Sequence, residues 1–266
     1  MKRIESVFAK PGHKALIAYL TVGYPNIEAT LKLVPALVGS GCDMVELGIP
    51  FSDPLADGTT IQRASYHALR QGVTPELCLE VAQELRQKVD SPLIFMSYYN
   101  PLLHYGLEPF CCACAQAGID GLIIPDLPPD EGMELERLTE RYQLDLIYLL
   151  APTSSEERIG LVAARSRGFI YLVSLSGVTG ARDSLPAQLE GFVAKVRLKT
   201  SQPLCVGFGI STPEQARRVA EVADGVILGS RIIDILESSD QPALAVGSFI
   251  KRIRDGITPR EGVKGM

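Results

Sequence analysis

The chain has 266 residues, 46% hydrophobic and 21% charged, a composition that excludes wholesale disorder. A formal net charge of −5 excludes nucleic-acid binding through a general basic surface. No stretch of about 20 apolar residues is free of charge and proline, so no membrane span is expected. The start, MKRIESVFAK, puts Glu5 where a signal peptide needs apolar residues, so a cytoplasmic protein is expected. The mean hydropathy, +0.15, favours a sheet buried on both faces.

Short apolar runs alternate with amphipathic segments along the chain. Arg3–Ala9 reads as a short extra helix, with Ile4, Val7 and Phe8 on one face, suited to plugging one end of a barrel. Ala15–Val22 is the first strand. A helix follows, with Ile27, Leu31, Val34 and Leu37 at spacings of three or four and Gly39 and Gly41 at its end. Asp43–Ile49 is the second strand. Helical segments around Ile61–Gln71 and Glu76–Lys88 come next, the latter capped by Thr74 with Pro75 as its first residue.

Further strands are expected at Leu93–Tyr98, Asp120–Pro125, Asp145–Ala151, Phe169–Leu175, Pro203–Phe208 and Gly225–Leu228. Helical patterns at Pro129–Tyr142, Ser155–Arg165, Pro186–Lys199 and Pro213–Val222 lie between them. The last, around Ile232–Arg254, is broken by Ser238–Pro242. Eight strand-helix units fit a closed (β/α)8 barrel or a large open sheet. An open sheet usually carries a nucleotide fingerprint after its first strand, but TVGYPN lacks the second and third glycines. A single TIM barrel over residues 1–266, with the extra N-terminal helix, is the expectation; such a barrel takes about 250 residues.

The six cysteines are irregularly spaced, and CCAC (Cys111, Cys112, Cys114) has no second ligand pair, so these read as small apolar residues on a helix and no metal is expected. His13, His67 and His104 form no zinc spacing or triad. The active site of a barrel lies at the carboxyl ends of its strands. There, Glu46 sits in the second strand between Val45 and Leu47. A buried carboxylate must be paired or have its pKa raised, so Glu46 is either a proton-transfer group or a salt-bridged structural one. The following loop, stiffened by Pro50 and Pro54, brings Asp53 and Asp57. Three glycine-containing loops, SGVTGARDS, GFGIST and GSR, follow the last three strands and suit a phosphate, which binds backbone amides at this end of the fold.

The stretch ELGIPFSDPLADGTTIQ, Glu46–Gln62, closely resembles the signature of the tryptophan synthase alpha subunit family over seventeen residues. AYLTVGYP, FMSYYNP, GLIIPDLP, YLVSLSGVTGAR, GFGIS and GVILGS agree with the family in the same order, so the resemblance spans essentially the whole chain. It implies cleavage of indole-3-glycerol phosphate into indole and glyceraldehyde 3-phosphate, a retro-aldol step without metal or cofactor. On the matching positions, Glu46 is the acid and then the base, and Asp57 is its partner at the ring nitrogen. Tyr19, Ile61, Met96, Ile123, Tyr171 and Phe208 match the indole pocket, and Thr179 a loop residue that positions the aspartate. Gly180, Gly209, Gly229 and Ser230 match the phosphate cradle. Tyr24 and Thr59 stand where Asp and Pro are frequent, and Met96 where Leu is common.

The resemblance also implies a pyridoxal-phosphate-dependent beta subunit, joined in an α2β2 tetramer. The loops at residues 50–58 and 176–185 resemble those that order when the site closes. Two alternatives remain open at this point: a stand-alone lyase releasing free indole, and a catalytically weak subunit that activates its partner.

Overall fold

The computed structural model describes residues 1–173, 187–207 and 209–258. Among the described residues nine parallel strands form one sheet: β1 Ala15–Thr21, β2 Met44–Gly48, β3 Leu93–Met96, β4 Gly121–Ile123, β5 Asp145–Ile147, β6 Leu149–Leu150, β7 Ile170–Val173, β8 Leu204–Gly207 and β9 Gly225–Leu228. Their order is β5-β4-β3-β2-β1-β9-β8-β7-β6. Only Tyr148 separates β5 from β6, so the two ends of this order are one stretch of chain and the sheet closes into a barrel.

The single fifth strand expected over Asp145–Ala151 is therefore two short ones. Residues 145–147 pair with β4 and residues 149–150 with β7. Between them the Tyr148 N–H donates to the Ser166 hydroxyl, at 3.1 Å, in place of a ladder bond.

Period-2 alternation divides the strand residues between two cores. Ile17, Met44, Ile94, Ile123, Ile147 and Ile227 fill the barrel interior. Leu16, Val45, Phe95, Leu122, Leu146 and Val226 pack outward against the helices. Both faces are buried, which explains why the strands are apolar on consecutive residues.

The N-terminal helix, Arg3–Phe8, plugs the amino ends of the strands. Ile4 is fully buried in the interior cluster, and the Phe8 and Phe169 rings meet at 6.2 Å. Lys2 Nζ, 2.6 Å from Asp145, and Arg3, 3.1 Å from Asp120, fasten the plug.

Elsewhere the helices depart from expectation in detail. After β3 come two, Tyr99–Tyr105 and Leu107–Gln116, separated by Gly106 at φ +95. Cys111 and Cys114 lie on the buried side of the second. Pro129–Glu131 is a single 3-10 turn, and the α-helix begins only at Met133. Thr74 caps Pro75–Arg86 as its sequence suggests, accepting from the Leu77 N–H. No helix among the described residues is long and apolar enough to cross a membrane.

Candidate active site

Glu46 shares its phase in β2 with Met44, so its side chain enters the barrel interior beside Tyr19, its register partner on β1. It is fully buried, and among the described residues neither carboxylate oxygen has a hydrogen-bond partner. Burial without compensation favours the neutral form, pushing its pKa up to about 8. At neutral pH Glu46 is thus mainly a proton-bearing acid.

The loop leaving β2 returns Asp57 over the same space. Tyr98, buried after β3, holds it: its hydroxyl accepts the Ala56 N–H at 2.9 Å, and its ring lies 5.3 Å from that of Phe51. Gln62 adds a bond to the Asp57 carbonyl at 2.9 Å. The Asp57 Oδ1 is sealed from solvent without a partner among the described residues. Burial raises its pKa to about 6, with the Tyr98 hydroxyl acting in the opposite sense. Asp53, by contrast, is exposed and accepts from the Ser52 hydroxyl.

Two tyrosines complete this end. Burial and then the Asp57 charge push the Tyr19 hydroxyl well above its ordinary pKa. For Tyr171 the causes are burial, then Glu46 and Asp57. Both phenols therefore stay protonated. The Tyr19 hydroxyl shares a 3.2 Å hydrogen bond with Thr21.

These groups line a cavity of about 280 Å³ at the carboxyl ends of the strands. Its other end is built from the segments after β8 and β9. Gly209, at φ +74, turns the chain in a conformation that side-chain-bearing residues rarely adopt. Gly229 leads into the helix Ser230–Ser238; its carbonyl accepts from the Ile232 N–H at 2.8 Å, and among the described residues the Ser230 and Arg231 N–H groups have no backbone acceptor. A carboxylic acid, a second carboxylate and an anion-suited helix terminus thus face one cavity.

Of the residues singled out in the sequence, Tyr19, Glu46, Asp57, Ile61, Met96, Tyr171, Gly209, Gly229 and Ser230 lie on its wall. Ile123, the register partner of Met96 on β4, sits in the barrel interior but is not on that wall. Thr179, Gly180 and Phe208, with the loop 176–185, lie outside the described residues. Ile210, Ser211 and Arg231, within the GFGIST and GSR loops, also line the cavity without having been singled out individually, as do Ile227 and Asp234, which sequence reasoning missed. The phase of β9 pointed to Ile227, and the i, i+3 spacing within SRIID pointed to Arg231 and Asp234 on one helical face.

A family model, tryptophan synthase alpha chain, matches residues 6–254. The tryptophan synthase alpha chain of Dehalococcoides mccartyi is 58% identical over 257 residues, covering 97% of this chain and all of the relative. Tryptophan synthase subunit alpha from Legionella pneumophila superposes with a TM-score of 0.90 at 37% identity, covering 97% of this chain and 98% of that one. A chain of the aminoacrylate-bound Mycobacterium tuberculosis tryptophan synthase gives 0.88 at 35% identity, with 97% and 100% coverage. Sequence over nearly the full length and fold agree, and the chain belongs to the tryptophan synthase alpha chain family.

Proposed function

We propose that this cavity cleaves indole-3-glycerol phosphate to indole and glyceraldehyde 3-phosphate, the reaction of the alpha chain family. The observation that carries the assignment of roles is the pair of carboxyl groups. Glu46 holds its proton up to about pH 8, whereas Asp57 releases its own near 6. One acid and one base are therefore available together at neutral pH.

Glu46 protonates the indole carbon that bears the glycerol chain, leaving positive charge on the ring nitrogen. Asp57, as carboxylate, accepts the ring N–H and stabilises that charge. Glu46, now ionised, takes the proton from the adjacent chain hydroxyl. Its oxygen becomes the aldehyde carbonyl, the carbon–carbon bond breaks, and the bonding pair returns to the ring. The proton count closes on Glu46. Tyr19, Ile61, Met96 and Tyr171 supply an apolar wall for the indole, and Gly209, Gly229 and Ser230 a cradle of backbone amides for the phosphate.

The reading extends to a beta-subunit partner, an α2β2 assembly and a cytoplasmic location. Leu55, Leu103 and Met133 are exposed on segments that follow β2, β3 and β4, as a partner at this rim requires. The test is indole release by the purified chain from indole-3-glycerol phosphate, with and without a beta subunit. Turnover stimulated by the partner, with co-purification of the two, is expected. No indole in either condition overturns the assignment.

A further inference from the structure

The cavity holds an unassigned cation. Arg231, second residue of the helix Ser230–Ser238, lies on its wall beside Ser230 and Gly209. It is the only basic residue of the described lining, against three acidic ones, Glu46, Asp57 and Asp234. Among the described residues its side chain has no hydrogen bond or ion pair. Nearby Arg63 is committed to Glu237, at 2.7 Å, which also accepts from the Tyr24 hydroxyl at 2.5 Å. Asp234 lies one turn along from Arg231 at helix-pairing distance in sequence, yet the two are unpaired in the structure.

This placement opposes helix electrostatics. A cation in the first turn meets the positive end of the helix dipole, and no acidic residue offsets it there. An anion seated between the guanidinium and the Ser230 and Arg231 amides would turn this unfavourable pairing into a favourable one. An independent feature marks the cavity as a ligand site: Glu46 is fully buried on its wall, with both oxygens unpartnered among the described residues.

We infer that Arg231 binds the substrate phosphate directly, as a charged and planar donor added to the backbone cradle. This rests on the lyase reading above and deepens it. Amides alone recognise an oxyanion by shape. A guanidinium adds a charge-assisted, two-pronged contact that discriminates a phosphate monoester dianion from an unphosphorylated glycerol chain. It also offsets the negative charge that Asp57 and Asp234 place in the same cavity. Arg231 is thus a specificity-determining, substrate-binding residue.

The experiment uses the full chain and glycerol 3-phosphate as a competitive probe, with indole as the neutral probe. Variants are Arg231→Ala, Arg231→Lys and, for the cradle itself, Gly209→Val. Because Arg231 is exposed, Arg231→Ala is expected to fold with an unchanged melting temperature. It should raise the glycerol 3-phosphate inhibition constant and the KM for indole-3-glycerol phosphate about 10-fold or more. The fall in kcat should be smaller, and indole binding unchanged. Arg231→Lys should restore part of the loss, and the salt dependence of KM should be weaker in Arg231→Ala than in the unsubstituted chain. If Gly209→Val weakens glycerol 3-phosphate and Arg231→Ala does not, Arg231 has no such role while the cradle stands. If neither variant changes it, the phosphate reading itself fails. Equal weakening of indole and glycerol 3-phosphate by Arg231→Ala would also overturn the inference, because a phosphate contact acts on one probe only.

Discussion

The Tyr171 side chain on β7 lies across the α-carbon of Gly207 on β8, so a methyl group on Gly207 would overlap the phenol hydroxyl. Tyr19 on β1 lies across Gly48 on β2 in the same way. Each glycine lets a tyrosine lean over its neighbouring strand and reach the cavity beside Glu46. Gly207→Ala is expected to cost about 1–3 kcal/mol through overpacking and to lower kcat/KM for indole release. Adding Tyr171→Phe should recover only part of the loss, since two ring carbons of Tyr171 overlap the added methyl group as well as the hydroxyl. Denaturant unfolding of the single and double variants checks this; an unchanged midpoint for Gly207→Ala would contradict the close approach.

Glu46→Gln keeps the shape of the buried side chain but cannot cycle a proton. Lyase turnover should fall about 10²- to 10⁴-fold, with glycerol 3-phosphate still bound. Asp57→Asn should behave alike. Single-turnover indole release is the measurement, and an undiminished rate in either variant would refute the acid and base roles of this pair.

The two carboxyl groups set a pH window. Asp57 must be ionised and Glu46 protonated, so kcat/KM should rise through about pH 6 and fall through about pH 8. Asp57→Asn should abolish the acidic limb in its residual activity. A flat profile between pH 5 and 9 would contradict the assignment.

Glu46 also links stability to pH. The unfolded chain releases its proton near 4.5 and the folded one near 8. The raised folded pKa favours folding below 4.5, and that contribution is lost as pH rises to 8 and beyond. Glu46→Gln escapes the loss. Relative to the unsubstituted chain it should gain on the order of 3 kcal/mol between pH 5 and pH 9, read from urea unfolding at both values. Equal pH dependence in the two proteins would show that Glu46 is not held neutral.

Ile4 joins the N-terminal helix to the barrel interior and is fully buried. Ile4→Ala should cost about 2–4 kcal/mol while leaving KM unchanged, because the plug and the cavity occupy opposite ends of the barrel. Thermal unfolding and steady-state kinetics separate the two effects.

The barrel and much of its chemistry are legible in the order of the letters. Strand-helix alternation, apolar residues on both strand faces and one seventeen-residue motif are local features, and they located Glu46, Asp57 and the glycine turns. What the letters lack is the direction and neighbourhood of a side chain. Glu46 was equally compatible with a structural ion pair until the closed sheet left both its oxygens without a partner among the described residues. Tyr98, at a strand end, was equally compatible with lining a pocket or completing the core until folding brought its hydroxyl to the loop of Asp57, 42 residues away in sequence from Ala56. Arg231 was legible only as the last residue of the GSR loop, because the meaning of its charge depends on the carboxyl groups of β2, the following loop and its own helix meeting in one cavity. Burial and charge at a site are sums over segments distant in the chain, and those sums exist only once the chain has folded.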